Sequence, residues 1–244
     1  MDLLRSENIS DIIDRIKPTH LIHLAWYTEH GKYWNSPLNV EWTRATYYLL
    51  DAFYKRGGEH ALITGTCAEY DWRYGYCMED MTPLKPTTLY GEAKNATRCF
   101  SELIKNQYEK PLAWARIFFP YGSDESYGRL IPSLFRFFRG KEFPFGVNRY
   151  AYRDFLHVSD VVGAIMLCVE KKFDGILNIC SGKPTSIEQI VREIANICGG
   201  NPDQVLEKAS NREEDPTFLV GDNQKLRALG WVQKVDIRQG LLTY

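Results

Sequence analysis

The sequence predicts an α/β protein built on a parallel sheet, and two observations support this fold class. Short apolar runs alternate along the chain with segments of helical periodicity, a pattern typical of βαβ units. A hydroxyl-bearing residue, Thr66, directly follows one of the apolar runs. The carboxyl ends of parallel strands are where such sheets meet their ligands, so a site is expected there.

The first predicted βαβ unit lies in the N-terminal part of the chain. The apolar runs His20–Trp26 and Glu59–Gly65 are predicted strands, and Asn39–Arg56 is the helix between them. Upstream, Ser10–Ile16 is a predicted short helix that ends before Pro18, because proline cannot continue a helix.

Alternating elements continue through the rest of the chain. Gly91–Tyr108 has an apolar stripe at helical spacing, and a helix is expected around Leu130–Arg139 within a Gly- and aromatic-rich region suited to a substrate lid. Two further strands are predicted at Pro111–Phe118 and Gly175–Cys180, and a further helix at His157–Lys171. A last helix is predicted to begin at a capping box, Thr185–Glu188, and to end near Cys198.

The composition excludes several functional classes. The chain has 244 residues, of which 44% are hydrophobic, and a net charge of -1, so it provides no broad basic field for nucleic acid or an anionic membrane. No apolar run approaches the ~20 residues that span a bilayer. The six cysteines have no C-x-x-C or zinc spacing. Scattered thiols without a metal pattern favour a cytoplasmic protein.

Tyr90 and Lys94 form a candidate acid/base pair. Four residues apart on a helix, they share one face. A tyrosine ionises near pH ~10, so it needs a nearby positive charge to act as a base at neutral pH, and Lys94 is expected to supply that charge. The alternative is a chance pairing on a solvent-exposed helix.

These residues, taken in order, resemble the extended short-chain dehydrogenase/reductases of the NAD-dependent epimerase/dehydratase family, which modify nucleotide sugars. The resemblance extends over nearly the whole chain. The segments that carry it are Asp2-Leu-Leu4, His23-Leu-Ala25, Asn39, Thr66 with Tyr70, Tyr90-x-x-x-Lys94, Arg116 with Tyr121-Gly122, Arg153–Asp160, Asn178–Gly182 and Leu229-Gly-Trp231.

The resemblance implies a Rossmann-like parallel sheet and a small C-terminal α/β substrate domain. Residues 1–119 would form a partial NAD(P)-binding domain. Residues 120–244 would belong mainly to the substrate domain, with segments at about 155–180 returning to the first. A cytoplasmic homodimer is the expected state.

The resemblance also assigns the catalytic roles. Tyr90 would exchange a proton with a sugar oxygen, Thr66 would hydrogen-bond the same oxygen, and Lys94 would bind the nicotinamide ribose. Asp2 would lie near the adenine and Ala25 near the cofactor ribose. The cofactor is NAD or NADP, since nothing in the chain distinguishes them.

Arg153 is the expected ligand of the substrate diphosphate, because guanidinium binds phosphate oxygens bidentately. The substrate would be a nucleotide-diphosphate sugar, bound by Arg153 and Thr66. Phe119 departs from the family, which commonly has asparagine here for phosphate contact.

The family's opening Gly-rich turn has no counterpart. No G-x-G-x-x-G links a strand to a helix, and the N-terminal strands of the Rossmann-like sheet would be missing. The strand at Leu21–Ala25 would then have an exposed flank. We therefore expect a fragment, a truncated gene model or a chain completed by a partner.

The residues after Thr66 narrow the reaction. Related 4,6-dehydratases have Asp-Glu or Ser-Glu where this chain has Cys67 and Ala68, and Glu69 in extended backbone would point the other way. Dehydration is therefore not expected. The favoured function is a 4-ketoreductase acting at a sugar C4, and the alternatives are a 4-epimerase or a catalytically inert chain that binds only a partner or a sugar nucleotide.

Overall fold

The computed structural model describes residues 2–4, 9–142, 146–208 and 216–244. Its strands are β1 His20–His23, β2 His60–Thr66, β3 Tyr76–Cys77, β4 Leu112–Ile117, β5 Phe119–Tyr121, β6 Tyr152–Arg153, β7 Phe155–His157, β8 Gly175–Ile179, β9 Thr185–Ser186 and β10 Phe218–Gly221. Its helices are α1 Ile9–Ile16, α2 Leu38–Lys55, α3 Leu89–Tyr108, α4 Leu130–Phe138, α5 Val158–Glu170, α6 Ile187–Cys198, α7 Asp203–Leu206, α8 Gln224–Ala228 and α9 Ile237–Leu241.

The main sheet is parallel and four-stranded, in the order β1-β2-β4-β8. Every residue of β2 is buried, because helices cover both faces of the sheet. Ile63 packs with α1, α2 and α3 on one face. Leu62, which points to the opposite face, packs with α5. The predicted α/β class with a parallel sheet is confirmed.

Strand β1 lies at one edge of this sheet. Its residues pair in register with β2, from His20 opposite His60 to His23 opposite Ile63. Within the described residues no strand pairs with its other side. The backbone groups on that side are therefore available for pairing.

A second group of elements lies beyond the carboxyl ends of the main-sheet strands. Strands β3, β10, β6 and β9 form a small mixed sheet, and β5 pairs with β7. Helices α4, α6, α7 and α9 enclose a separate apolar core around Leu134, Ile190 and Leu241. These elements correspond to most of the predicted C-terminal part, although the domain boundary at 119/120 itself stays a prediction.

Most element boundaries differ from the predicted ones by one to three residues, and two differences matter. Helix α3 begins at Leu89, two residues before the predicted start, because the Thr88 side chain caps it by accepting a hydrogen bond of 3.2 Å from the Gly91 backbone. Tyr90 is therefore in the first helical turn. Strand β1 ends at His23, so Ala25 and Trp26 lie beyond it.

The predicted capping box at Thr185–Glu188 is wrong. Thr185 is paired with Arg153 in the small sheet, so its backbone is committed to a strand. Ser186 caps α6 instead by accepting a hydrogen bond from the Gln189 backbone. The Glu188 carboxylate forms ion pairs with Arg149 and Arg192.

Within the described residues, no helix is long and apolar enough to cross a membrane, in line with the absence of a long apolar run.

Candidate active site

Thr66 and Tyr90 meet at the carboxyl end of β2. Thr66 is the last residue of that strand, and its side chain lies close enough to the Tyr90 phenol to lower the pKa of that phenol. The same Thr66 hydroxyl accepts a bond of 3.2 Å from the Ala68 backbone, which fixes its rotamer. Strand and helix thus bring together two residues 24 positions apart.

A glycine allows this close approach. A Cβ atom at Gly91 would collide with the Ala68 carbonyl oxygen, so any larger residue would push the first turn of α3 away from the segment after β2. Gly91 therefore lets the backbone beside Tyr90 lie against Ala68.

Aromatic rings surround Tyr90. The ring centroids of Tyr33, Trp34 and Trp26 lie 4.9, 5.8 and 6.5 Å from that of Tyr90, all edge to face. Burial among them raises the pKa of Tyr90, whereas the neighbouring Thr66 hydroxyl and the positive charge of Arg129 lower it. Tyr90 is thus a neutral phenol at neutral pH.

Lys94 is buried beside this pair, on the same helix. Its Nζ donates a hydrogen bond of 2.8 Å to the Thr64 carbonyl oxygen and lies 3.9 Å from the centre of the Trp26 ring. Loss of hydration lowers the pKa of Lys94 to about 7, although the carboxylate of Glu69 partly offsets this effect. The expectation that Lys94 lowers the pKa of Tyr90 stays a prediction.

The residues Thr66, Tyr90, Lys94 and Arg153 line one cavity of about 370 Å³. The cations that border it are Lys94, Arg129 and Arg153, and among the described lining residues there is no carboxylate. Such a lining favours a negatively charged ligand.

A second cavity of about 270 Å³ adjoins the first. Both share a wall that includes the two arginines, made of Tyr33, Trp34, Phe119, Pro120, Arg129 and Arg153. The second cavity continues between α4 and the start of α6, where Ile131 and Ile187 line it. The two cavities thus form one cleft, and the end that contains Tyr90 differs from the end lined by Ile131 and Ile187.

Arg153 is buried at the junction of the two cavities. Its Nη1 donates a hydrogen bond of 2.8 Å to the Tyr152 carbonyl oxygen, and its guanidinium carbon lies 5.7 Å from the centre of the Phe119 ring. The neighbouring Asp154 accepts hydrogen bonds from the backbones of Ser181, Gly182 and Gly221 and from the Ser181 hydroxyl. Asp154 thereby ties β7 to the segments after β8 and in β10.

The predicted cofactor residues Asp2 and Ala25 are not among the described residues that line the two cavities. Asp2 is exposed and accepts a hydrogen bond of 3.0 Å from the Leu4 backbone. Ala25 is half-buried between Leu24 and Trp26, which do line the larger cavity. Their roles stay predictions.

The expectation of an extended backbone through Glu69 is wrong. Residues Cys67–Glu69 form a 3-10 turn, in which the Glu69 carboxylate accepts a hydrogen bond of 2.8 Å from the Thr66 backbone. Glu69 is fully buried and forms an ion pair of 2.8 Å with Arg116, and Trp114 Nε1 donates to both of its oxygens. The spacing Thr66-x-x-Glu69 is a capping-box pattern, and this pattern in the sequence could have predicted the turn.

Sequence reasoning also missed the aromatic residues Trp26, Tyr33 and Trp34 and the cation Arg129. The asparagine of the resemblance, Asn39, explains how the first of these is held. Its Oδ1 accepts a bond of 2.8 Å from Trp26 Nε1, and its Nδ2 donates to the carbonyl oxygens of Tyr33 and Ser36. Asn39 thus fixes the whole segment that carries the rings.

In the described part of the chain, no group of three or more metal-ligating side chains comes together.

Two curated relatives are similar to this chain in sequence, at 24% and 27% identity. The dTDP-D-glucose 4,6-dehydratase of Mus musculus is 24% identical over 206 residues, 80% of this chain and 57% of the relative. The dTDP-6-deoxy-L-talose 4-dehydrogenase (NAD(+)) of Aggregatibacter actinomycetemcomitans is 27% identical over 176 residues, 71% of this chain and 64% of the relative. The chain thus spans less than two thirds of the length of these relatives.

The fold of a solved structure agrees closely with that of this chain. The complex of MoeE5 with UDP-glucuronic acid and NAD has a TM-score of 0.84 and 26% identity, and the match covers 98% of this chain and 81% of MoeE5. A family model described as the NAD dependent epimerase/dehydratase family matches residues 1–180. The chain, with its Rossmann-like parallel sheet, therefore belongs to the NAD-dependent epimerase/dehydratase family.

Proposed function

We propose that this chain carries the proton-transfer and substrate-binding groups of an NAD(P)-dependent oxidoreductase that acts at C4 of a nucleotide sugar, as a 4-ketoreductase. One observation supports this most strongly: Thr66 and Tyr90 line the same cavity as Lys94, Arg129 and Arg153. A proton donor and a site for an anion are thus combined in one cleft.

The protonation state of Tyr90 suits it to donate a proton to a carbonyl oxygen. Because burial raises the pKa of Tyr90, the phenol keeps its proton at neutral pH and can deliver it to a carbonyl oxygen. Thr66 would donate the second hydrogen bond to the same oxygen and so fix its distance from Tyr90.

The residues at the reacting end fit a nicotinamide coenzyme, which would supply the hydride when bound. Lys94 offers a buried donor at the edge of the cavity, and ribose hydroxyls are suitable acceptors for it. For the coenzyme diphosphate, the sequence has no G-x-G-x-x-G turn. The solved MoeE5 complex contains NAD, and the name of the Aggregatibacter relative includes NAD(+). Both support a nicotinamide coenzyme for this chain.

The adjoining cavity suits the nucleotide end of the substrate. It is bordered by Arg129 and Arg153 where it joins the reacting end. Its lining also includes the Glu125 carboxylate, which is paired with Arg129, and apolar residues around Ile131 and Ile187. A diphosphate between the arginines would leave the sugar near Tyr90 and the nucleoside near Ile131 and Ile187. The UDP-glucuronic acid bound by MoeE5 is a ligand of this chemical class.

Dehydration is disfavoured by the groups next to Thr66. Elimination of water needs an acid and a base, but burial raises the pKa of Cys67, so its thiol stays protonated, and Ala68 carries no ionisable group. The nearest carboxylate, that of Glu69, is occupied by Arg116 and Trp114. The likeness to a 4,6-dehydratase therefore does not extend to this chemistry.

The proposal is tested by incubating the chain with a nucleotide 4-keto-6-deoxy sugar and NADH or NADPH. We expect the absorbance of the reduced nicotinamide to fall, and Tyr90→Phe to abolish the change. Binding of NADH and NADPH is titrated in parallel. Bound coenzyme without turnover would refute the 4-ketoreductase assignment, interconversion of C4 epimers without net coenzyme use would favour the epimerase, and failure to bind coenzyme would favour the inert alternative.

A further inference from the structure

Glu69 carries a fully buried carboxylate, three residues after Thr66, that the proposed chemistry does not use. Its Oε1 accepts a hydrogen bond of 2.8 Å from the Thr66 backbone, and its Oε2 accepts one of 2.8 Å from Arg116 Nε. Trp114 Nε1 lies 3.1 Å from both oxygens. These partners belong to two adjacent strands, β2 and β4, so the orientation of the carboxylate is fixed.

Strand β2 has the space that this carboxylate needs. A glycine inside a strand weakens the strand and is typical of a place where another group approaches closely. In β2 that glycine is Gly65, where a Cβ atom would collide with Trp114 Nε1 and with Glu69 Oε1. Gly65 therefore allows the carboxylate to lie against the strand that ends at Thr66.

Arg116 is held by a second set of contacts. Its Nη1 donates a hydrogen bond of 3.0 Å to the Tyr70 hydroxyl, which donates one of 2.7 Å to Asn178 Oδ1. The Asn178 amide donates to the carbonyl oxygens of Cys77 and Asp222. Among the described residues, Arg116 Nη2 has no hydrogen-bond partner. Well-packed apolar residues of similar volume stabilise a core at least as well as such a buried charged pair, so stability alone does not account for it.

The charge of Glu69 acts on the groups of the reacting end. Loss of hydration lowers the pKa of Lys94 to about 7, and the Glu69 carboxylate opposes this change. Burial raises the pKa of Tyr90, and the same carboxylate adds to that effect. Glu69 therefore favours the protonated form of both groups.

Among the described residues, the other titratable or charged groups that face Lys94 provide no negative charge. His23, on β1, is neutral at neutral pH, because burial and then the charge of Lys94 lower its pKa to about 4. The remaining groups share the larger cavity with Lys94 and are either cations or groups whose pKa is raised by burial: Cys67, Tyr90, Arg129 and Arg153. The Lys94 ammonium thus has Glu69 as its balancing carboxylate.

We infer that Glu69, with Arg116 as its partner, is a positioning residue for the reacting end, which fixes the backbone that presents the Thr66 hydroxyl and supplies the counter-charge of the Lys94 ammonium. The roles of Thr66 and Lys94 toward a substrate rest on the proposed function. Glu69 itself acts through these two residues, because its oxygens are already occupied by Thr66, Trp114 and Arg116.

Two double variants test the counter-charge without leaving a buried charge unpaired: Glu69→Gln with Arg116→Met, and Glu69→Leu with Arg116→Met. The titration of Lys94 is followed by NMR on the full chain with isotope-labelled lysine, and the Lys94 signal is identified by its absence in Lys94→Met. In both double variants the titration midpoint should fall by at least about 0.5 pH unit below that of the parent chain, since the nearby opposite charge is gone.

Glu79→Gln is the matched control for the loss of one carboxylate. Glu79 is half-buried, and its Oε1 accepts a hydrogen bond of 2.8 Å from the Asn178 backbone, at the other end of the same network of contacts. Glutamine keeps an acceptor there, so the Lys94 midpoint should be the same as in the parent chain.

Exchange of the Thr66 amide hydrogen tests the positioning of the backbone. The glutamine double variant keeps an acceptor for this amide, as in a capping box, whereas the leucine double variant has none. The Thr66 amide should therefore exchange about fivefold faster in the leucine variant than in the glutamine variant, since one hydrogen bond is lost.

Equal exchange in the two double variants, an unchanged Lys94 midpoint in both of them, or an equal fall of that midpoint in Glu79→Gln would overturn the inference. Neither measurement uses a coenzyme or a sugar. Failure of hydride transfer would therefore refute the proposed function and leave this result standing.

Discussion

The Nζ atom of Lys94 lies 2.8 Å from the backbone carbonyl oxygen of Thr64, two residues before Thr66. This bond joins helix α3, which carries Tyr90, to strand β2, which ends at Thr66. It also places an ammonium group beneath the Trp26 ring and away from water. The free energy of that placement depends on whether Lys94 carries its proton.

Stability is expected to depend on pH through Lys94. The pKa of Lys94 is lowered from 10.5 to about 7 in the folded chain, so between these values the unfolded chain binds the extra proton. The free energy of unfolding therefore gains up to about 1.4 kcal/mol per pH unit from this group as pH rises. In Lys94→Met the contribution is absent.

Urea denaturation at pH 7 and pH 9 measures this effect. The free energy of unfolding of the parent chain should rise relative to that of Lys94→Met between the two pH values, whereas Lys172→Met, which removes an exposed partner of Glu59, should show a constant difference. A difference between parent and Lys94→Met that does not change with pH would contradict the prediction.

Thr66→Val should lower kcat by at least about tenfold, because the hydroxyl that lies beside Tyr90 in the cavity is removed. It should also cost about 1 kcal/mol of stability, since the cap on the Ala68 backbone is lost. Thr66→Ser keeps the hydroxyl and is the matched control. Steady-state kinetics with thermal unfolding distinguish the two effects, and equal kcat values for the valine and serine variants would argue against a role for the hydroxyl.

Glu69→Gln should destabilise the chain by about 3–5 kcal/mol, because it leaves the buried charge of Arg116 without its partner. Both side chains of this pair are 0% exposed. Glu59→Gln, which breaks the exposed pair with Lys172, should change the free energy of unfolding by less than about 0.5 kcal/mol. Chemical denaturation measures both, and similar small losses would show that Glu69 is not needed for the fold.

Asp154→Asn should cost at least about 2 kcal/mol, because both carboxylate oxygens accept hydrogen bonds and an amide nitrogen would face a donor at one of them. Asp80→Asn, at an exposed pair with Lys225, is the control. Denaturation midpoints provide the measurement. A variant at Asp154 as stable as the one at Asp80 would show that β7 is held by other contacts.

Much of the fold was predictable because it depends on local periodicity. The apolar runs around Ile63 and Trp114 and the helical stripe after Tyr90 identify buried strands and a helix that covers them. Element boundaries were less predictable, since they depend on single capping residues. Thr88 and Ser186 were not recognised as caps because several hydroxyl-bearing residues precede each helix, and only the packed structure selects one.

Some features of the candidate site were likewise predictable from the sequence, and others depend on how the elements pack. The sequence by itself determined the parallel α/β class, the shared helical face of Tyr90 and Lys94, and Thr66 at the end of a strand, because each follows from the geometry of one element. Only the tertiary structure decided that Lys94 bonds to Thr64, that Glu69 is turned toward Arg116, and that Tyr244 reaches Arg129 through Glu125. Contacts between residues far apart in the chain depend on how the elements pack, and no local periodicity encodes which side chains then meet.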